Sequence, residues 1–210
     1  MKKAIIFDLD GTLWDSTGCV CTIWNRALNK YEDVHLTITQ EIVSKMMGKT
    51  MDEIGKTIFP NLTEKRCQQI IDDFGIEEVK YLYEKGAVLY EGLEETLKIL
   101  NLDYNLYIVS NCQDGYVDAF LHAHQLESYF KDYEMSGRTG LDKGHNIKLI
   151  MERNAIAQAF YVGDTEGDEK ASRFAGIPFI YASYGFGKAK SPDKTINSIK
   201  ELPKILLEIK

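Results

Sequence analysis

Asp8 and Asp10, with Gly11 directly behind them, are the first residues whose types and spacing suggest chemistry. They end the apolar run Ile5-Ile6-Phe7, which has the length and composition of a buried strand. Side chains two apart on a strand point the same way, and the glycine marks a turn where backbone can come close to a ligand. A carboxylate pair at that place suits a hard cation such as Mg²⁺. One carboxylate could attack phosphorus while the other moves protons. A strand followed by an ordinary polar turn is the plainer reading of these residues alone.

The same pattern returns twice. Leu106-Tyr107-Ile108-Val109 reads as a buried strand ending in Ser110-Asn111, and Ala159-Phe160-Tyr161-Val162 as another ending in Gly163-Asp164. In a parallel sheet such ends lie on one edge, so residues far apart in sequence converge. Lys143 precedes a helix. A lone lysine is most often solvated, but a phosphate site among carboxylates needs a fixed cation. Asp164 and Asp168 are one helical turn apart if a helix starts near Thr165, where acidic residues also serve as simple capping groups.

The elements that must position these groups come in two kinds. From residue 16 to 86 the signals are helical: an apolar stripe of Val20, Ile23, Trp24, Ala27, Leu28 and Tyr31, a start at Thr37 or Thr39, a short helix over 51–59, and a long one after Thr63 that breaks near Gly75 and resumes to about Lys85. Outside that block, strands alternate with helices, which predicts an α/β fold with a doubly wound parallel sheet. The sequence therefore divides into a core of residues 1–15 and 87–210 and an inserted all-helical domain of 16–86. Residues 188–197 read as a polar loop.

Composition narrows the partners. The 210 residues are 44% hydrophobic and 27% charged, with a formal charge of −7. No basic stripe favours nucleic acid, and no apolar run reaches the roughly 20 residues of a membrane span. The start of the chain lacks a signal-peptide pattern, and Cys19, Cys21, Cys67 and Cys112 lack zinc-type spacing, so a cytoplasmic protein is expected. His35, His122, His124 and His145 show no metal-ligand arrangement either.

Taken together, Asp8-Leu9-Asp10-Gly11-Thr12, Ser110-Asn111, Lys143, and Gly163-Asp164 through Asp168 resemble the four motifs of the haloacid dehalogenase superfamily in order and spacing. The helical insertion directly after the first motif is similar to the cap of its phosphoglycolate-phosphatase-like branch. Asp15-Ser16, Tyr90-Glu91-Gly92 and Gly185-Phe186-Gly187 add smaller echoes, and the resemblance covers essentially the whole chain. The third motif departs from the common Lys-Pro, since Gly144 follows Lys143. Dehalogenase members carry tyrosine at the position of Asp10, and β-phosphoglucomutase-like members carry histidine at that of Val20, so neither activity is favoured.

The resemblance implies a Mg²⁺-dependent phosphatase acting on a small phosphorylated metabolite through an aspartyl-phosphate. Asp8 would be the nucleophile and Asp10 the acid and base. Ser110, Asn111 and Lys143 would hold the phosphate, and Thr12 would shape the loop around Asp10. Asp8, Asp10 (through its carbonyl) and Asp164 would bind the metal, with Asp168 holding metal-bound water or Lys143. Lys49, after the helix end at Gly48, could reach the substrate, whereas Trp24, Met46 and Met47 read as packing within the cap. A phosphomutase or phosphotransferase is the alternative enzyme, and a receiver-like or phosphate-sensing module the non-enzymatic one. A monomer or weak homodimer is expected.

Overall fold

The computed structural model describes residues 3–209. Its centre is a six-stranded sheet in the order β5-β4-β1-β6-β7-β8. The strands are β1 (Lys3–Phe7), β4 (Tyr104–Ser110), β5 (Phe130–Met135), β6 (Ala159–Gly163), β7 (Phe179–Ala182) and β8 (Lys194–Ile196), and every pairing is parallel. The predicted doubly wound α/β fold is what forms. β1 lies between β4 and β6, with Phe7 opposite Ile108 on one side and Val162 on the other. The residues just past these positions therefore emerge together at one edge of the sheet.

Alternation along β1 supplies both faces of the core. Ile5 and Phe7 pack with Ile108, Val162 and Phe120 on one face. Ala4 and Ile6 pack with Val109, Tyr161, Ile147 and Phe179 on the other. Helices α5 (Leu93–Asp103), α6 (Tyr116–His124) and α10 (Leu202–Glu208) cover the first face, and α8 (Lys143–Arg153) with α9 (Glu166–Ala175) the second. A parallel sheet buried on both faces needs near-continuous apolar strands, and β1, β4 and β6 have them.

The strands that bound the sheet do not read that way. In β5 the run Lys131-Asp132-Tyr133-Glu134 interrupts the apolar pattern, and β8 falls inside the segment predicted as a polar loop. Both are edge strands, where one side needs no strand partner and charge is tolerated. Arg153 of α8 pairs with Asp132 at 2.7 Å and with Glu134 at 2.8 Å, which offsets the acids of β5.

Between β2 (Trp14–Asp15) and β3 (Val88–Leu89), which pair antiparallel as a two-stranded stem, the chain forms α1 (Thr17–Leu28), α2 (Gln40–Met46), α3 (Met51–Ile58) and α4 (Glu64–Lys85). Thr39, Thr50 and Thr63 cap the last three through their hydroxyls. These helices enclose a hydrophobic cluster of their own, in which Trp24 stacks on Phe74 at 5.0 Å. The break predicted near Gly75 does not occur, for α4 runs unbroken through it. Gly75 instead faces Gln113, whose Cγ would lie 3.5 Å from an added Cβ, an ordinary van der Waals contact. The short α7 (Ser136–Thr139) follows β5.

Candidate active site

The backbone turns sharply after β1. Asp8 donates its N–H to the Val162 carbonyl at 2.8 Å, and Leu13 donates to Leu9 at 2.9 Å. Gly11 has φ +83°, and a Cβ there would sit 2.3 Å from Asp164 Oδ2. Only glycine allows both the backbone conformation and this approach of two loops. On the other side of Asp164, a Cβ on Gly185 would lie 2.4 Å from the Asp164 Cβ. The amides of Phe186 and Gly187 donate to Asp164 Oδ2 at 2.7 and 3.3 Å. Asp164 is thus held in a glycine-lined cradle.

Lys143 leaves the first turn of α8 and bridges two acids. Its Nζ lies 2.8 Å from Asp8 Oδ1 and 2.6 Å from Asp168 Oδ1, with all three side chains buried. Asp168 is fixed further by α9's own capping box, its Oδ2 accepting from the Thr165 amide at 2.9 Å and hydroxyl at 2.7 Å. The Tyr161 hydroxyl donates to the Val109 carbonyl at 2.9 Å and lies 3.3 Å from Asp168 Oδ1. One carboxylate oxygen from each of Asp8, Asp164 and Asp168 lies within 4.8 Å of the others.

This concentration of buried acid has electrostatic consequences. Burial, reinforced by the charge of Asp168 and only partly opposed by Lys143, pushes the Asp8 carboxyl up to about 7. Burial and the same neighbouring acids hold Asp164 well above the usual carboxylate range. Burial disfavours the charge on Lys143, but Asp168 and Asp8 outweigh it and keep the ammonium protonated. Asp8 Oδ2 and Asp164 Oδ1 are buried without a hydrogen-bond partner. Orphaned carboxylate oxygens facing one lysine are an all-oxygen donor set short of positive charge, which fits a hard divalent cation.

Asp10 stands apart from that cluster. Its Oδ1 accepts from Ser16 Oγ at 2.5 Å, Trp14 Nε1 at 2.9 Å and Tyr116 Oη at 3.1 Å. Burial raises its carboxyl to about 6 against these three hydrogen bonds. Two of the donors flank the β2 end of the stem, and the third comes from α6. Ser110 is buried beside them at the end of β4. Asn111 reaches away from the sheet: its Nδ2 donates to the Gly48 carbonyl at 2.8 Å, and its Oδ1 accepts from Ser136 at 3.0 Å. Thr12 is buried with its hydroxyl unpartnered, while its carbonyl accepts from Tyr184 at 2.8 Å.

A cavity of about 40 Å³ separates the sheet edge from the helices of residues 17–85. Asp8, Asp10, Ser110 and Asn111 form its floor. Val20, Trp24, Met46, Met47, Lys49 and Glu78 are among the residues above. Lys49 does border the cavity, and Trp24 and Met46 serve both as cavity wall and as packing. Sequence reasoning missed Tyr116, Gln113 and Glu78. For Glu78 a signal existed, since Phe74, Glu78 and Leu82 lie four apart on one face of α4 and all three are buried.

The geometry has counterparts in known proteins. The model of the haloacid dehalogenase-like hydrolase family matches residues 5–182, and the chain belongs to that family. Among its relatives is a phosphoglycolate phosphatase of Vibrio vulnificus (strain YJ016), 28% identical over 226 residues, covering 98% of this chain and 96% of the other. One from Haemophilus influenzae is 28% identical over 222 residues, covering 97% and 98%. A crystal structure described as a predicted phosphatase from Clostridium acetobutylicum superposes with a TM-score of 0.84 at 25% identity, over 99% of both chains. The resemblance drawn from the four motifs is correct, and with it the enzyme class, a phosphatase of this family. Among the described residues no helix is long and apolar enough to cross a membrane.

Proposed function

We propose that the protein is a divalent-cation-dependent phosphatase that hydrolyses small phosphomonoesters through a phosphoaspartate at Asp8, as expected of a relative of phosphoglycolate phosphatases. The observation that carries this reading is the environment of Asp8. One oxygen is anchored by Lys143, the other is buried and unpartnered, and the carboxylate lies close to Asp164. A nucleophile needs such a free oxygen, and the neighbouring acids need a cation to lower their mutual repulsion.

Asp8, Asp164 and the main-chain carbonyl of Asp10 would hold Mg²⁺, with Asp168 behind them fixing Lys143. When bound, the cation neutralises phosphate charge and steadies one phosphate oxygen. Asp8 attacks phosphorus as the bond to the leaving oxygen breaks, and Asp10 gives that oxygen its proton. Three donors occupy Asp10 Oδ1, which leaves Oδ2 to carry the proton. Asp10 then takes a proton from water as the water oxygen attacks phosphorus, which frees phosphate and restores Asp8. Lys143, Ser110 and the amide of Asn111 stabilise the charge on the remaining phosphate oxygens.

Residues 16–86 act as a cap. The β2–β3 stem, the Asn111–Gly48 hydrogen bond and a cavity walled by both parts of the chain support that role. A closed cap over so small a space excludes water and favours a small leaving group. Phosphate release from a panel of small phosphomonoesters, with Mg²⁺ and then with chelator, tests the reading. Metal-dependent release is expected. Metal-independent release, or none from folded protein, refutes it.

A further inference from the structure

One acid in the cavity is left unused by this chemistry. Glu78, on α4, is 2% exposed and borders the same cavity as Asp10. Its two oxygens accept hydrogen bonds from neutral donors on different parts of the chain: the Trp24 indole of α1 and the Gln113 amide beyond β4. Among the described residues no cation pairs with it. Lys49 borders the same cavity, is partly exposed, and makes no ion pair among the described residues. The walls beside Glu78 are apolar, formed by Val20, Trp24 and Ile54.

Burial, with Asp10 adding to it and the two hydrogen bonds opposing it, pushes the carboxyl up to about 8. A buried acid is ordinarily paired, because desolvating a lone charge is costly. Near neutrality the carboxyl therefore keeps its proton, and a cation entering the cavity supplies the counter-charge that lets it ionise. Both oxygens are already placed as acceptors, so a hydrogen-bond donor is the complementary group. A carboxylate would meet the acids Asp8, Asp10 and Glu78 in the lining against the single cation Lys49.

We propose that Glu78 selects the leaving group, favouring phosphomonoesters whose alcohol carries a hydrogen-bond donor, an ammonium above a hydroxyl, over those whose alcohol carries a carboxylate. This rests on the phosphatase reading above. It also separates the chain from its relatives, since the glycolate of phosphoglycolate ends in a carboxylate.

A matched set of two-carbon esters isolates the effect: O-phosphoethanolamine, 2-hydroxyethyl phosphate and phosphoglycolate differ only in the terminal group. For the wild-type enzyme, kcat/KM is expected to fall in that order, with the ammonium ester about tenfold or more above the carboxylate. Glu78→Gln keeps the shape and removes the charge, and should shrink that ratio at least about tenfold. A wild-type preference for phosphoglycolate, or a ratio unmoved by Glu78→Gln, overturns the proposal. If the variant does not fold, the wild-type order alone decides. Release from none of the three, nor from any ester of the wider panel, removes the underlying phosphatase reading instead.

Discussion

Replacing Glu78 with glutamine should make the stability of the protein less dependent on pH. An unfolded glutamate titrates near the ordinary 4.5, whereas burial holds the folded one at about 8. Below pH 4.5 both states carry the proton and the residue contributes no pH dependence. Between 4.5 and about 8 the folded state keeps a proton that the unfolded state has released, so wild-type stability falls as pH rises. Above about 8 the loss is complete. At about 1.4 kcal/mol for each tenfold in proton affinity, the effect is on the order of 5 kcal/mol. For a chain of this size that is roughly ten degrees in melting temperature. Glutamine does not titrate, and the Gln113 amide can turn to offer its oxygen to the new side-chain nitrogen while Trp24 keeps its acceptor. The assay is thermal or urea unfolding of both proteins from pH 5 to pH 9, with chelator present to keep cation binding out of the comparison. Asp8 and Asp164 titrate in both proteins and largely cancel in the difference. The gap in favour of Glu78→Gln should widen with pH; a constant gap would refute the argument that Glu78 is buried without a counter-charge.

Other predictions concern the acidic cluster and the turn beside it. Asp8→Asn should abolish turnover, by at least about a thousandfold, and remove any phosphoryl adduct seen by intact-mass spectrometry, while Asp10→Asn should let the adduct accumulate; an active Asp8→Asn protein excludes the covalent route. Mg²⁺ at about a hundred times its dissociation constant should stabilise the wild type by about 2.7 kcal/mol, and Asp164→Asn should lose most of that rise in a thermal-shift titration. Gly11→Ala should cost about 1–3 kcal/mol through its left-handed φ. Because its methyl would displace the Asp164 carboxylate, it should also weaken Mg²⁺ binding; an unchanged Mg²⁺ response would count against the close approach of the two loops.

How much of the fold could be read in advance depends on what each strand borders. β1, β4 and β6 lie inside the sheet, are apolar on both faces, and announce themselves as short apolar runs ending in Asp, Ser or Gly. Their ends converge because β1 is flanked by the other two, which the sequence implies once a parallel sheet is assumed. β5 and β8 are hidden because edge strands tolerate the charges of Lys131, Asp132, Glu134 and Lys194. Gly75 misleads for a related reason. The intrinsic penalty of glycine in a helix is only about 1 kcal/mol, and the burial of Ile70, Ile71, Phe74 and Leu82 on either side of it outweighs that.

The site divides along the same line. Residues that act through strand ends and turns, such as Asp8, Asp164 and Lys143, belong to local patterns with recognisable spacing. Residues that act through long-range contact do not. Tyr116 meets Asp10 from 106 positions away, and Gln113 meets Glu78 from 35. Glu78 is the instructive intermediate. Beside Glu77, which is part-exposed and pairs with Lys30 at 3.0 Å, it looks like one more charge on a solvated helix face. The helical repeat says otherwise, because a residue four after Phe74 and four before Leu82 must point where they point. A charge in the middle of an apolar stripe is costly to bury, and here it is buried facing a cavity rather than solid packing. A purely structural role, accepting from Trp24 and Gln113, would be met by glutamine with no charge to desolvate. An acid there fits a cavity that admits a hydrogen-bond donor, which is why the terminal group of the substrate, more than the phosphate, should distinguish this enzyme from its relatives.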